Sequence, residues 1–485
     1  MPRIEIPLAG SSKQHRSSIV AAQVSKNWFV EIVRDDQGKE VFRVLIGAPG
    51  KTLLSTVSAQ PLRALHMSST KYAKYWGVFG NKLFEFLNNN NAVFIGTLRT
   101  SNGKCKIADN GTHLLIVDGS TTGYVYEIAS GGPAGFTEDL ALANANFVGG
   151  DDVTFTGGWF FVIQPGSNII QACAAPYGTA PIAPWDATSL HSTALTEAGP
   201  LLALGVANTL LWAIGDYSSA VFQNTANPVG FPYSRITGTS IDIGIEAAQS
   251  LKELNGTLLW LGKTKKGGGF IVQTSGLTPT RVSDHDLENT IGAFTTRADA
   301  YADVYIDEGH SFYQLTFPTG NQTRVYDQAT KEWHERSSSG LGRDRAKGHI
   351  FFLNRHIVGD STTGKLYTLS LDVYDEAGQP LIAIRRSQHL KSRRDPIEIP
   401  QLLIETDVGV GLSGDAQGSN PVMALRYSID SGKTWSEEMY SELGKIGEYS
   451  AIARFPRLGT AEDWIFEISI SDPVSRNILS AYIEV

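Results

Sequence analysis

One structural unit recurs along the chain and constrains its fold more than any other feature of the sequence. Each copy has an apolar strand, a turn with Gly or Asn, a second strongly apolar strand, a turn that is rich in Gly and Asp, and a third alternating strand. The clearest copies begin at Lys104, Asp151, Leu202, Gln249, Asp303 and Ala346. Their second turns recur at intervals of about 41–56 residues, which is the range of propeller blades. Repeated meanders of this period predict a β-propeller.

The repeat count favours six blades and allows seven. A weaker unit that begins at Tyr75 fits either a further blade or the strand that closes the ring. The second strands of the repeats, such as 114–117 and 210–214, are apolar on both faces, as expected of strands packed between neighbouring sheets. Asn110-Gly111 and Asn255-Gly256 predict two-residue hairpins, because these residues tolerate the positive φ angles that such turns require.

The regions on either side of the repeats lack this period. Residues 1–63 have a polar start and a turn-rich stretch at 47–51, so we expect an N-terminal extended segment associated with the propeller or platform. The propeller is assigned to residues 64–375. After the turn-rich residues 375–380 the strands become longer and alternate, which predicts a C-terminal module over residues 376–485. The predicted fold class is all-β, a β-propeller with a C-terminal antiparallel β-sandwich-like module.

Charge and composition exclude several function classes. The formal net charge of -8 gives no global basic field that would hold the chain on duplex DNA or an anionic membrane. No stretch has the roughly 18 uninterrupted apolar residues of a membrane span, so we expect no membrane insertion. Paired Cys and His ligand spacings are absent from the sequence. We therefore predict no catalytic, cofactor-binding or metal-binding residues, and no cofactor.

An Asp box lies in the C-terminal module. Ser428, Asp430, Gly432 and Trp435 have the spacing of the pattern found on hairpin turns of sialidases and other β-propellers. In such a turn the carboxylate accepts backbone N–H groups, Gly permits the reversal and Trp packs beneath the hairpin. A retaining sialidase also needs an arginine cluster, a Tyr nucleophile and a Glu partner. We interpret the box as a structural turn.

Two other stretches have the residue types of a binding site. Residues 284–288 gather carboxylates and one imidazole, but they lack the glycine-punctuated loop of a calcium site, so a solvated turn between blades is favoured. Residues 263–269 look like a phosphate-binding loop, but the flanking strands indicate a hairpin tip.

A single basic cluster lies where the propeller gives way to the C-terminal module. Its members are Arg385, Arg386, His389, Lys391, Arg393 and Arg394. One interpretation is a solvated linker, and the other is a contact with an acidic partner or with DNA.

The C-terminal residues resemble those of a known family, the packaged-DNA stabilisation proteins of short-tailed phages, also called tail nozzle, tail hub or tail accessory proteins. The resemblance extends over about the last hundred residues and rests on linked motifs in residues 384–390, 403–411, 425–435, 443–449, 457–459 and 470–474. Residues 26–31 and 48–50 are similar to an aromatic segment and a Pro-Gly turn near the family's N-terminus. Ser431 replaces an expected Gly, and residues 460–464 replace a more basic stretch.

The resemblance implies a structural virion protein. Such a protein forms a homo-oligomeric, six-fold ring below the portal and adaptor, lines the DNA exit channel, helps retain packaged DNA and docks tailspikes or fibres and a plug or needle. DNA would pass through it transiently and without sequence preference. The protein would be assembled in the host bacterial cytoplasm. Because an acidic chain has little solubility reason to gather so many positive charges at one junction, we predict that the basic cluster contacts a neighbouring subunit or an acidic partner in the assembled tail.

Two other classes of function stay open from the sequence. One is a glycan-binding or sialidase-like propeller, which would carry an arginine cluster on the propeller axis. The other is a cellular scaffold propeller, which would be a stable monomer that recruits peptides.

Overall fold

The computed structural model is nearly all β-structure. It describes residues 3–68, 74–88, 90–182, 185, 190–192, 195, 199–226, 230–237, 241–392 and 395–484. Short helices are few among these residues: the α-helices Leu140–Ala143 and His285–Gly292 and the 3-10 helices Pro133–Gly135 and Ala248–Ser250.

Seven antiparallel blades are present in the described part of the chain. Blade 1 has strands Leu62–Met67, Tyr75–Phe79, Lys82–Phe86 and Ala92–Thr97. Blade 2 has Lys106–Asp109, His113–Val117, Tyr124–Glu127 and Phe136–Thr137. Blade 3 has Asp152–Thr156, Trp159–Ile163, Ile169–Ala174 and Leu190–Ser192. Blade 4 has Leu201–Ala207, Leu210–Gly215, Ser219–Asn224 and Tyr233–Arg235.

The remaining blades follow the same plan. Blade 5 has Gly244–Ile245, Lys252–Leu254, Thr257–Thr264, Gly267–Ser275 and Thr278–Arg281. Blade 6 has Tyr301–Asp307, His310–Phe317, Gln322–Asp327 and Glu332–Arg336. Blade 7 has Ala346–Phe352, Arg355–Asp360, Gly364–Ser370 and, as its outer strand, Gly50–Ser58. The inner strands contact one another in order around the ring, and that of blade 7 contacts that of blade 1.

The blade number is seven, whereas the repeat count favoured six. The unit at Tyr75 is a full blade, and the strand that closes the ring is Gly50–Ser58, which pairs antiparallel with Gly364–Ser370. Because about 300 residues separate these two strands, no local pattern links them. At the Asn255-Gly256 turn both residues have positive φ, of 51° and 74°. At Asn110-Gly111, in contrast to the prediction, only Gly111 does, since the Asn110 side chain accepts the N–H groups of Thr112 and His113 instead.

Apolar side chains fill the spaces between blades, as the double-sided middle strands predicted. Separate buried clusters lie between blades 1 and 2, 2 and 3, 3 and 4, 4 and 5, 5 and 6, and 7 and 1. The middle strand residues 114–117 and 211–214 are almost wholly buried. The ring is therefore stabilised by contacts between neighbours, as in other repeat architectures.

Both ends of the chain build the β-sandwich. One sheet has the order Trp28–Arg34, Glu40–Gly47, Ile478–Glu484, Ile397–Thr406 and Ala453–Ala461, with Arg3–Glu5 also beside Ile478–Glu484. The other has the order Ala22–Lys26, Ala383–Arg386, Asp463–Ile470, Val422–Ser428 and Met439–Glu442, with Lys13–Gln14 and Leu390–Lys391 as short additions. Buried residues of the N-terminal part, including Trp28 and Leu45, share one core with Trp464 and Phe466.

The expected N-terminal segment, residues 1–63, thus divides its described strands between two places. We propose that the sandwich comprises residues 3–47 and 383–484, with the propeller inserted between them from Gly50. The sequence divided these regions at residues 64 and 376 because strands supplied from the other end of the chain leave no local signal.

The sandwich and the propeller share a sheet and several buried polar contacts. Lys26 in the sandwich pairs parallel with Glu335 at the outer edge of blade 6. The Glu335 carboxylate also accepts hydrogen bonds from Ser12 Oγ at 2.6 Å and Arg324 Nη1 at 2.6 Å. The Asn27 amide of the sandwich donates to the carbonyl oxygen of Ser337, the residue after the last strand of blade 6, at 3.1 Å. Because these groups are buried and paired, moving one part against the other would leave polar groups unsatisfied.

A buried ion cluster lies where the chain enters and leaves the propeller. Lys51 Nζ in the closing strand is 2.8 Å from Asp344 Oδ1, before blade 7, and 2.7 Å from Glu376 Oε1, after blade 7. All three residues are buried. Although burial alone would raise it, the Lys51 charge and hydrogen bond hold the pKa of Asp344 below its usual value. The cluster joins three segments that are distant in sequence.

Replacing Lys51 by methionine should strongly destabilise the fold. Lys51→Met removes the cation beside buried Asp344 and one of the two cations beside Glu376, which keeps Arg345 Nε at 3.3 Å, so we expect the free energy of unfolding at pH 7 to fall by about 3–5 kcal/mol. The matched control is Lys39→Met at an exposed lysine, which should change little. Urea unfolding measures both. The difference in unfolding free energy between the parent and the variant should narrow as the pH falls toward about 4. In the variant the carboxylates that lost Lys51 then take up protons, while in the parent protonation removes the attraction of the carboxylates to Lys51. A Lys51→Met protein as stable as the parent would contradict this role.

Candidate functional site

The Asp-box residues form a self-contained turn. Asp430 Oδ1 accepts the N–H groups of Lys433 at 2.9 Å and Thr434 at 2.8 Å, and Oδ2 accepts Thr434 Oγ1 at 2.7 Å. Ser428 Oγ accepts the N–H of Gly432 at 2.9 Å and donates to Asp430 Oδ1 at 2.8 Å. Hydrogen bonds from the backbone and side chain of Thr434, and from Ser428, hold the pKa of Asp430 well below its usual range. The carboxylate is thus engaged within its own turn.

Trp435 lies beside the turn glycine of its hairpin and against two arginines of the sheet. It is half-buried, and its ring lies 4.7 Å from the guanidinium carbon of Arg386 and 5.1 Å from that of Arg426. Both arginines pair with Glu467, through Arg386 Nε at 2.8 Å and Arg426 Nε at 2.6 Å. The indole therefore covers an Arg-Glu-Arg group on the sheet, and its contribution is cation–π contact more than apolar burial.

The described members of the basic cluster have partners within the chain. Arg385 is buried and donates to the carbonyl oxygens of Gly10 at 2.9 Å and Val24 at 3.2 Å, and burial lowers the pKa of its guanidinium to about 10. His389 Nδ1 lies 2.8 Å from Asp463 Oδ1, and Lys391 Nζ donates to the Ile19 carbonyl oxygen at 2.7 Å.

These contacts hold residues 10–24 against the C-terminal strands of the sandwich. Arg386 forms an ion pair with Glu467 on the neighbouring strand of the sandwich sheet. Arg393 and Arg394 lie outside the described residues. A contact of the cluster with another subunit or an acidic partner stays a prediction.

The two stretches with binding-site composition have local structural roles. Residues 284–288 are not a turn but the start of helix His285–Gly292, because Asp284 Oδ1 caps it by accepting the N–H of Leu287 at 2.8 Å while Leu287 and Ile291 are buried. Residues 263–269 form the hairpin between two strands of blade 5. Across the described ranges, no group of three or more His, Cys, Asp or Glu side chains is arranged to hold a metal ion.

The propeller axis brings together residues that the sequence analysis did not single out. A cavity of about 220 Å³ there is lined by inner-strand side chains, with the cations Arg63, Lys104, Lys106, Lys252 and Lys347. The signal in the sequence is positional, since each cation stands in or just before the inner strand of its blade. Arg63 is the one arginine among the described lining residues, and it donates to the carbonyl oxygens of Gly80 and Thr100. The described residues thus place no arginine cluster of the kind that a sialidase-like propeller requires on the axis.

Comparisons with known proteins identify the family. A model of the family described as bacteriophage P22 Gp10, beta-propeller, matches residues 4–374. A second, described as bacteriophage P22 Gp10, beta-sandwich, matches residues 386–485. The chain belongs to the bacteriophage P22 Gp10 family. Membership of the P22 Gp10 family makes it a structural protein of a phage tail and a component of the virion, as the C-terminal motifs indicated.

The other comparisons add little to the family assignment. Among solved structures, the Neurospora crassa Pan2 WD40 domain matches at 10% sequence identity and a TM-score of 0.40, over 66% of this chain and 94% of that chain. No curated protein matches the chain. In the part of the chain that the structure describes, no helix is both long and apolar enough to cross a membrane.

The two tryptophans near the Asp box should differ in their effect on stability. Trp464 is buried in the sandwich core, so Trp464→Ala should cost about 3–5 kcal/mol of the free energy of unfolding. Trp435→Ala removes a half-buried ring and should cost clearly less. Asp430→Ala should lower the melting temperature by loosening the turn. Thermal and urea unfolding of the three variants measures this order. Equal losses of unfolding free energy in Trp435→Ala and Trp464→Ala would contradict the assignment of Trp435 to a half-buried cation–π contact.

Proposed function

We propose that the protein is the nozzle or hub subunit of a short phage tail. In this role six copies form a ring below the portal and its adaptor, line the channel through which DNA leaves, and help to retain packaged DNA. The observation that carries the proposal is the match of the P22 Gp10 family to both the propeller and the sandwich. The ring also docks tailspikes or fibres and a plug or needle, and it is assembled in the host cytoplasm.

The contacts between the propeller and the sandwich suit a subunit that must keep its shape under force. The shared sheet at Glu335 is reinforced by a second contact, in which His310 Nε2 of blade 6 lies 2.6 Å from Glu31 Oε2 of the sandwich and His310 Nδ1 lies 2.7 Å from Asp327. A subunit that holds DNA under pressure needs parts that keep a fixed orientation. The buried Lys51 cluster serves the same end.

Exposed apolar side chains on the sandwich suit contacts between subunits. Tyr440, Ile446 and Tyr449 are 63%, 64% and 72% exposed, and Phe42 on the neighbouring sheet is 50% exposed. Large apolar side chains that face water favour a surface as an interface. The propeller exposes such side chains as well, including Tyr177 at 66% and Leu353 at 52%, so both modules offer surfaces for contacts. We propose that the sandwich supplies the contacts within the ring, while the flanks of the propeller remain for fibres or spikes.

The overall charge is compatible with a DNA channel. A net charge of -8 gives little attraction for a polyanion, so DNA can slide past without being held. This passage requires no catalysis, and we propose that the protein is not an enzyme.

Assembly of the purified protein tests the ring directly. We expect electron microscopy of the concentrated protein, alone or with its portal and adaptor, to reveal six-fold rings, and sedimentation to give a matching mass. Tyr440→Ser with Tyr449→Ser should reduce the assembled fraction at unchanged melting temperature. The control is Tyr177→Ser, at an exposed tyrosine of the propeller. A protein that stays monomeric in both conditions and is absent from virions would contradict the proposal.

The basic cluster permits a second test of assembly. Arg393→Glu with Arg394→Glu should weaken ring or adaptor assembly more than folding, and raised salt should imitate part of the effect, since exposed ion pairs are screened over about 8–10 Å. Arg386→Glu should instead lower stability, because it sets a carboxylate against Glu467. Lys433→Glu at an exposed lysine is the control. Sedimentation against salt, with thermal unfolding alongside, separates these results. If assembly of the double variant is unchanged, the predicted contact is wrong and the two arginines belong to a solvated linker.

A further inference from the structure

The cavity on the propeller axis carries a positive charge that the chain as a whole lacks. Five cationic side chains contribute to its lining, and Asp303 is the one carboxylate among the described lining residues. The chain has a net charge of -8, so composition alone does not account for this concentration of cations. Like charges gathered in a half-enclosed cavity repel one another and raise the free energy of the folded state.

Three of the cations are already used to hold the ring. Arg63 donates to backbone carbonyl oxygens. Lys104 Nζ and Lys106 Nζ lie 2.8 and 2.6 Å from the two oxygens of Asp152 in blade 3, and they also donate to carbonyl oxygens of blade 4. These contacts connect blade 2 with blades 3 and 4, so these lysines have a structural role.

The other two cations are poorly compensated. Lys252 Nζ lies 3.7 Å from Asp303 Oδ1, beyond hydrogen-bond distance. Lys347 Nζ lies 4.9 Å from the ring centre of Tyr301, and within the described residues it has neither an ion pair nor a hydrogen bond. Burial, together with the charges of Arg63 and Lys252 and against that of Asp303, lowers the pKa of Lys347. Lys347 is half-buried, and it lacks the close anionic partner that a charge partly withdrawn from water normally has.

We propose that the axial cavity binds a small, multiply charged oxyanion of the phosphate class between Lys252 and Lys347. Such an ion would supply the acceptor that Lys347 lacks and would screen the repulsion among the axial cations. Asp303 opposes an anion, but Lys252 and the N–H of Gly348, at 2.9 Å from Asp303 Oδ2, offset part of its charge. The cavity volume admits a free ion or a short phosphate chain rather than a nucleic acid strand.

Binding of inorganic phosphate and pyrophosphate to the purified chain tests the site. Isothermal calorimetry and thermal unfolding are run with the ionic strength matched by sodium chloride. We expect either ion to raise the melting temperature of the parent, because a ligand that binds only the folded state stabilises it. In Lys347→Met and in Lys252→Gln the affinity should fall at least tenfold. Lys82→Gln, at an exposed lysine of blade 1, is the control and should bind like the parent.

Two further results distinguish an anion site from a structural role of the lysines. Without phosphate, Lys347→Met should be at least as stable as the parent, since it removes a repelled cation. If that variant does not fold, Lys252→Gln carries the comparison. Equal affinity in the parent and both lysine variants, or absence of phosphate-specific stabilisation, would overturn the proposal. Binding of a short single-stranded oligonucleotide at these lysines without binding of phosphate or pyrophosphate would overturn it too. The assay uses the subunit alone, so its outcome is independent of ring assembly.

Discussion

The buried ammonium group of Lys51 joins the three segments on which the rest of the structure depends. It lies in the strand that closes the propeller, and its carboxylate partners Asp344 and Glu376 flank blade 7. A propeller is open until its last blade receives a strand from the other end of the chain. Because that strand follows directly on the sandwich strand Glu40–Gly47, closing the ring also positions the sandwich. The contacts of Glu335, Asn27 and His310 then hold the sandwich against blade 6.

This arrangement explains why strands from the N-terminal and C-terminal parts of the chain share the core of the sandwich. Trp28 from the N-terminal part donates through Nε1 to the Arg476 carbonyl oxygen at 2.8 Å, and the basic residues Arg385 and Lys391 bind carbonyl oxygens of residues 10–24. The described basic residues that look like a surface patch in the sequence mostly hold the N-terminal residues against the C-terminal strands. The apolar side chains that remain exposed on the sandwich are then free for contacts between copies.

Local patterns predicted the parts of the fold that are local. The six clear repeats are blades 2 to 7, and the C-terminal module has the long strands that its sequence indicated, such as Ile397–Thr406 and Asp463–Ile470. The outer strand Gly50–Ser58 and the places of the strands between residues 22 and 47 in the sandwich could not be assigned. Apart from the local pairing of Trp28–Arg34 with Glu40–Gly47, their partners are hundreds of residues away. The same limit applies to the site. Asp430 has the turn contacts that its pattern describes, whereas the axial lysines become neighbours only when the ring closes.

The central claim is that this propeller and sandwich act as one rigid subunit around the DNA channel of a phage tail. The most direct measurement is a cryo-electron microscopy map of the tail of the phage that encodes the chain. We expect six copies around the channel. In each copy the propeller and the sandwich should fit the density together, in the orientation set by the Lys51 and Glu335 contacts. A tail without this subunit around the channel, or density that requires the two parts to be fitted in a different relative orientation, would contradict it.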